Sequence, residues 1–415
     1  MRRKMLTRQA HASTPDQLLW GETVTPVYQT TAFSQMKAQQ LADIFQGRAG
    51  GYNYSRIANP TCTTLEMNLC SLDEGIGCVV TSSGMAAITA VACALLQSGD
   101  HVVLADGIFA GTISLFLDTL SRFGIQTTLV DAADTDAVAS AMRPQTRMVL
   151  LETIGNPKLD IPDIPAISKL TRDAGIPLVL DNTVLTAALL RPKQLGVDIV
   201  VYSTSKFICG FGTAIGGAVI DTGLYDWSRS PFEQIRTTAG KAGPLAFMAY
   251  LRNIVCRNLG GCPAPWNCFL INQGLQTLSI RMARHLENAS RLANYLRGHK
   301  AVKSIRYPGL PSDPFYERAR RLLDGKAGAI MTIFLGDREK AFEFIDRLEL
   351  LRQAPNIGDS KTLVIHPAST IFWQLSPQDR KRMGITEDMV RISVGLEDFD
   401  DIKADVCQAL EVLGG

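Results

Sequence analysis

The sequence predicts an α/β fold, with a mostly parallel central sheet flanked by helices and a smaller C-terminal α+β domain after it. Two observations carry this. Between residues 77 and 202 six short β-rich runs recur, apolar in a continuous rather than an alternating pattern, as in strands covered on both faces. Most are separated by stretches long enough for a helix, the crossover that joins parallel neighbours.

The elements follow in order. "GCVVT" (77–81) is the first strand, and the spacing predicts a helix over 85–97. "HVVLA" (101–105) is followed by a helix over 112–123, then by "QTTLV" (126–130), "MVLLE" (148–152), "PLVLD" (177–181) and "DIVVY" (198–202). From about residue 275 the rhythm changes. A long helix over roughly 270–297 leads to "AVKSIRYPG", "AGAIMTIFLG", a helix at 338–349, "RISVG" and a last helix. Residues 1–60 fit neither pattern; polar, with aromatic and glycine punctuation, they read as an arm that must pack on something. The division is an arm at 1–60, a large domain at 61–265 and a C-terminal domain at 266–415.

Composition bounds the function. The chain has 415 residues, 46% hydrophobic and 20% charged, which is ordinary for a globular protein. A formal net charge of +2 gives no electrostatic case for nucleic acid or a membrane surface. No apolar run approaches the length of a spanning helix, and the first residues are basic without the apolar core of a secretory signal. Nine cysteines occur without a CxxC pair, and five histidines without HExxH, so no metal is expected. Free thiols in a reducing cytoplasm are the expectation.

The chemistry gathers where strands end, the edge at which such sheets bind ligands. "VVYSTSKFICGFG" (200–212) puts Lys206 past a buried strand, with Ser203 and Ser205 before it. A buried ammonium must be paired, deprotonated or covalently consumed. "VTSSGMAA" puts Ser83, Gly84 and Met85 at a helix start, where backbone amides and the helix dipole favour phosphate. "ETIGNP" places Asn156, and "LVLDNT" places Asp181 and Thr183. The glycines after Lys206 do not form GxGxxG between a strand and a helix, which weakens a dinucleotide reading. A phosphate cradle, a buried carboxylate and a lysine together suit pyridoxal 5'-phosphate. That cofactor takes a lysine on its aldehyde and a carboxylate at its ring nitrogen.

With these motifs in hand, the sequence resembles the cystathionine γ-synthase-like enzymes of cysteine and methionine metabolism, a branch of the fold-type I pyridoxal-phosphate enzymes. The resemblance runs from about residue 26 to 410, through "YSRIANPT" (54–61), "SSGMAA" (82–87), "ETIGNP" (152–157), "DNT" (181–183), "STSKFICGFG" (203–212), "GDSKTLVIHPAST" (358–370) and "RISVGLED" (391–398). It implies that Lys206 carries the cofactor and shuttles protons, that Asp181 pairs with the ring nitrogen, and that Asn156 bonds the phenolic oxygen. The Gly84 and Met85 amides, with Ser83, Ser203 and Ser205, would hold the phosphate; Ser205 stands where the family has threonine. Thr183 and a stacking Phe109 join the cofactor set. Arg391 would bind the substrate carboxylate, with Asn356 nearby. Tyr54 and Arg56 would reach the phosphate of a neighbouring subunit's cofactor, Tyr54 also serving catalysis and substrate. This makes 1–60 an inter-subunit arm and the enzyme a homo-oligomer, by family habit a tetramer built as a dimer of dimers.

Departures from the family select the reaction. Most members have tyrosine where Phe109 stands. Phenylalanine stacks as well but offers no proton to a leaving group. A carboxylate leaves without that help, so Phe109 favours an O-acylated homoserine. Phe109 and Asn356 both resemble the O-acylhomoserine sulfhydrylase branch; the cysteine typical of methionine γ-lyases is replaced by Gly111. The expected reaction is γ-replacement on O-acetyl- or O-succinyl-L-homoserine by sulfide or a thiol. The alternative is a γ-lyase releasing 2-oxobutanoate and ammonia from methionine, cystathionine or an oxygen-linked analogue. Ile371, Phe372, Trp373 and Trp266 replace residues common in the family. Core or interface repacking is the first expectation for them; a place at the substrate entrance is the alternative, and it would favour a bulkier, more apolar nucleophile.

Overall fold

The computed structural model describes residues 4–11 and 21–414. Its first sheet has seven strands: β1 (Gly77–Thr81), β2 (His101–Ala105), β3 (Gln126–Val130), β4 (Thr146–Glu152), β5 (Leu178–Asp181), β6 (Ile199–Ser203) and β7 (Gly217–Asp221). They lie in the order β1-β7-β6-β5-β4-β2-β3. Strands β6, β5, β4, β2 and β3 pair in parallel, while β7 runs antiparallel to both β1 and β6. Six strands therefore end at one edge, where the sheet delivers its site residues.

Strand β7 is absent from the sequence reading. "GAVID" opens on Gly217 directly after Gly216, a pair of the kind that marks turns, yet both glycines serve close approach. A Cβ on Gly217 would collide with the Ser83 backbone oxygen, and one on Gly216 would sit 2.7 Å from Thr204 Oγ1. The long helix expected over roughly 270–297 is two, Pro265–Gln276 and Leu278–Leu296, meeting at Thr277.

The second sheet holds β8 (Ser304–Arg306), β9 (Ile330–Phe334), β10 (Arg352–Gln353), β11 (Leu363–Ile365) and β12 (Met389–Ser393), in the order β10-β11-β12-β9-β8. One buried apolar cluster runs from Cys62 through the first sheet to Val390, Val406 and Leu410, so both sheets pack on a shared core. This continuity fixes Arg391, in the middle of β12, against the edge of the first sheet.

Of the arm expected over 1–60, residues 1–3 and 12–20 lie outside the described residues. The helix Met5–Ala10 packs on its own chain: Gln9 Oε1 accepts the Ser279 N–H at 3.3 Å. The helix Ala38–Phe45 buries none of its residues. Asn59 joins the arm to the body. Its Oδ1 caps the helix Pro60–Asp73 by accepting the Thr61 N–H at 3.0 Å, and its Nδ2 donates to the Tyr28 carbonyl at 2.8 Å. With Pro60 in the first turn, such a cap contributes about 1 kcal/mol. All nine cysteines are free thiols. No helix among the described residues is long and apolar enough to cross a membrane.

Candidate active site

The carboxyl-end edge of the first sheet and the face of the second enclose a cavity of about 450 Å³. Around it stand Ser83, Gly84, Met85, Phe109, Asn156, Asp181, Thr183, Ser203, Ser205, Lys206, Asn356 and Arg391. The first ten come from the sheet edge and its loops. Asn356 comes from the loop before β11, and Arg391 from β12.

The cradle is built on the helix Gly84–Leu95. Ser83 caps it, Oγ accepting the Ala86 N–H at 3.1 Å. The amides of Gly84 and Met85 are first-turn donors with no partner inside the helix. Gly84 is required here, because a Cβ would lie 2.7 Å from Ser203 Cβ and 2.9 Å from its Cα. Thr183 Oγ1 accepts the Ser203 N–H at 2.8 Å and holds the two strand ends in step. The Ser205 hydroxyl is already engaged, donating to the Gly216 carbonyl at 3.1 Å and accepting its N–H at 3.0 Å. Two free amides on a dipole's positive end, with hydroxyls around them, fit a phosphate.

Lys206 lies across the cavity. Its Nζ donates to Asn356 Oδ1 at 2.6 Å. Burial, and next the Arg391 charge, lower its pKa to about 8, so near neutrality a usable fraction is the free amine. No carboxylate pairs with it among the described residues. Arg391 is buried; Nη1 donates to Asn156 Oδ1 at 3.1 Å and Nη2 to the Asn356 carbonyl at 3.0 Å. Its Nε is buried without a partner. A guanidinium held by neutral oxygens, with a donor to spare, fits an incoming carboxylate. Because Asn156 spends its carbonyl oxygen on Arg391, its amide N–H groups remain to meet a phenolic oxygen.

Asp181 closes β5. Thr183 N–H donates to its Oδ1 at 2.9 Å, and burial raises its carboxyl above the ordinary range. No basic side chain among the described residues pairs with it, so a ring N–H⁺ would supply its missing counter-charge. Its register partner on β4 is Glu152, also buried and also lining the cavity. Sequence reasoning passes over Glu152, because a glutamate closing a strand next to a loop reads as solvated. An acidic trio, Asp106, Asp131 and Asp160, gathers behind the neighbouring loop with Lys158 Nζ 2.8, 3.6 and 3.5 Å from its oxygens. The cation there is the lysine's own ammonium.

Phe109 lines the cavity at 37% exposure, its ring against Gly111; a Cβ on Gly111 would lie 2.6 Å from ring Cε1. Apolar side chains the sequence did not single out, Ile88, Ile215 and Ile357, complete the walls with Ile371. The other aromatic candidates for the entrance are elsewhere. Phe372 is 1% exposed in a core cluster, while Trp266 and Trp373 are exposed away from the cavity, Trp266 stacking on Phe269 at 5.7 Å. The backbone turn at 370–373 sends Ile371 to the cavity and Phe372 inward. Tyr54 and Arg56 do not line this chain's cavity. Tyr54 is 41% exposed with the Arg56 guanidinium 5.5 Å from its ring centroid, and Arg56 donates to the Arg257 carbonyl.

Comparison with known proteins agrees with this geometry. The family model for Cys/Met metabolism PLP-dependent enzymes matches residues 6–411. A homocysteine synthase of Schizosaccharomyces pombe is 36% identical, with 98% of each chain covered. An O-acetyl-L-homoserine sulfhydrylase of Leptospira meyeri is 37% identical, covering 93% of this chain and 92% of its own. A Campylobacter jejuni structure named as an O-acetylhomoserine (thiol)-lyase, holding pyridoxyl-lysine monophosphate, superimposes with a TM-score of 0.94 at 33% identity, covering 99% of this chain and 100% of its own. A cavity that offers a lysine, an unpaired carboxylate and a helix-start cradle, in a chain matched over nearly its whole length, places this protein in the Cys/Met metabolism PLP-dependent enzyme family.

Proposed function

We propose that the chain catalyses γ-replacement on an O-acyl-L-homoserine, exchanging the acyl group for sulfide or a thiol to give homocysteine or a related thioether amino acid. The observation that carries this reading is Phe109 at the cavity wall, an aromatic face without a proton. A thiolate leaving group gains from an acid there; a carboxylate does not need one. The names of the relatives support the same choice, with acetyl the better-supported acyl group.

The residues divide the work. Arg391 receives the substrate carboxylate. Bound pyridoxal phosphate supplies the electron sink for charge developing at the substrate's Cα. Lys206 Nζ, with a pKa near the working pH and steadied by Asn356, takes the Cα proton. A second deprotonation, at Cβ, lets the acyl group leave Cγ as its carboxylate; sulfide or the thiol adds at Cγ, and protons return to Cβ and Cα. Asp181 holds the ring-nitrogen proton. Ile88, Ile215, Ile357 and Ile371 keep the γ-carbon in an apolar setting that suits a sulfur nucleophile over water. Tyr54 and Arg56, exposed on the arm, complete the site of a neighbouring copy, so the working form is a homo-oligomer, a tetramer of two such dimers. Nine free thiols suit a cytoplasmic enzyme.

The test is a substrate panel with product identification, crossing O-acetylhomoserine, O-succinylhomoserine, cystathionine and methionine with and without sulfide. Homocysteine should dominate with an O-acyl substrate and sulfide. If 2-oxobutanoate dominates even with sulfide present, the γ-lyase reading takes its place.

A further inference from the structure

Glu152 is the cavity residue to which the reaction as described gives no task. It is 5% exposed at the end of β4. Oε2 accepts the Phe109 N–H at 3.1 Å, and the side chain also faces the cavity beside Asp181, Asn156 and Arg391. Phe109 itself stands outside regular structure. It precedes the five-residue helix Ala110–Ser114 with φ −49° and ψ 132°, with no side-chain cap. The loop before it is anchored from behind, since Lys158 binds Asp106 and reaches Asp160. At Phe109 the anchor on the cavity side is Glu152.

We propose that Glu152 is a positioning residue whose carboxyl holds the Phe109 amide, and through it the phenyl ring, against the space that receives the cofactor ring. The proposal rests on the cofactor site described above and goes beyond it, because it assigns the orientation of the stacking group to a particular side chain.

The environment favours the uncharged form of this acceptor. Asp181 faces Glu152 across the strand register, Asp160 faces it from the loop after β4, and Arg391 faces it from β12. Burial, then the two carboxylates, push its proton affinity well above the ordinary carboxylate range; the Phe109 N–H and Arg391 oppose this more weakly. A protonated Glu152 keeps one oxygen as acceptor for Phe109. It also leaves Asp181 as the single anion for the ring nitrogen and Arg391 free for the substrate carboxylate. Two ionised carboxylates side by side would compete for both tasks.

The variants that separate these roles are Glu152→Gln, which keeps shape, an acceptor oxygen and zero charge, and Glu152→Leu, which keeps bulk and loses the acceptor. Each is prepared as the holoenzyme and read by the visible circular dichroism of the lysine-linked cofactor, kcat, KM and the pH profile of kcat. The glutamine variant should match the parent in dichroism and pH profile, with kcat within about threefold, because a neutral acceptor is retained. The leucine variant should lose much of the visible dichroism and about 10²-fold in kcat, the scale set by misplacing a group near the reaction. Its KM should change little, since Arg391 is untouched. Adding Phe109→Leu to it should cost almost nothing further, as expected when one residue acts through another. A glutamine variant as damaged as the leucine one would mean that the charge is what matters, and overturns the proposal. So would a leucine variant with the parent's dichroism and kcat. If the leucine protein does not fold, Glu152→Ala, read in the same way, takes its place: loss of the visible dichroism and of kcat is expected, and the parent's values would overturn the proposal. Failure of the parent protein to show any lysine-linked cofactor band would overturn the cofactor site first, and this proposal with it.

Discussion

Lys206 concentrates the residue-scale physics. Its neutral form is favoured by burial and by the nearby Arg391 charge, so its pKa falls from 10.5 to about 8. The sign follows from the lowered value. Between about 8 and 10.5 the unfolded chain holds the proton that the folded chain has released. Stability from this group therefore rises with pH across that window, and below it the buried ammonium is a cost. The same shift governs cofactor loading, since only the free amine attacks an aldehyde. Uptake of pyridoxal phosphate by the apoprotein, followed by visible absorbance, should quicken about tenfold per pH unit below about 8 and level off above it. A rate flat across that range would count against burial as the cause. Lys206→Ala should show no lysine-linked band and no turnover, with the far-ultraviolet dichroism of the parent. The lysine was legible in the sequence because its setting was anomalous: a cation directly after a run of hydroxyls at the end of a buried strand. Glu152 was not, because a glutamate closing a strand next to a loop reads as solvated, and only the register with Asp181 shows it to be enclosed.

At the scale of elements, continuous apolar runs located β1, β2, β4, β5 and β6 because burial on both faces leaves no polar alternation, while β3, a half-exposed edge strand, was legible from its β-branched residues. The seventh, β7, escaped because its glycines serve packing: Gly217 lies against the Ser83 carbonyl, beside the cradle. Sequence order likewise could not say which of three consecutive apolar residues at 371–373 faces the cavity, because that depends on one backbone turn. The structure makes Phe372 part of the core with Ile88, Met383 and Met389. Phe372→His should therefore leave the ratio of sulfide to methanethiol kcat/KM unchanged and lower the thermal midpoint, since it removes buried apolar contact and buries an imidazole. Truncation to alanine should cost about 3–5 kcal/mol. The nucleophile preference should instead respond to Ile371→His, whose site lines the cavity. A changed preference in Phe372→His at unchanged stability would show that the turn is misassigned.

For the whole molecule, the question is why residues of a motif as long as "YSRIANPT" should be split between two kinds of work. Asn59 and Pro60 are spent within the chain, capping a helix and pinning the arm at Tyr28. Tyr54 and Arg56 are left exposed, away from the cavity of their own chain, on an arm whose helix Ala38–Phe45 buries nothing. On the function proposed above, an arm that fixes its own base and exposes an aromatic and a guanidinium would finish a surface on a neighbouring copy. In a closed dimer each copy would then present Tyr54 and Arg56 to the other. This predicts intersubunit complementation. Lys206→Ala and Arg56→Ala proteins should each be inactive or nearly so. After equal mixing and full exchange, half the dimers are hybrids and one of the two sites in each hybrid carries neither lesion, so activity should recover to about one quarter of the parent's. Exchange is followed independently with differently tagged subunits. If tagged hybrids form and activity stays at the level of the separate variants, Arg56 serves its own chain, and the cavity formed by Lys206, Asp181 and Arg391 is complete without a neighbour.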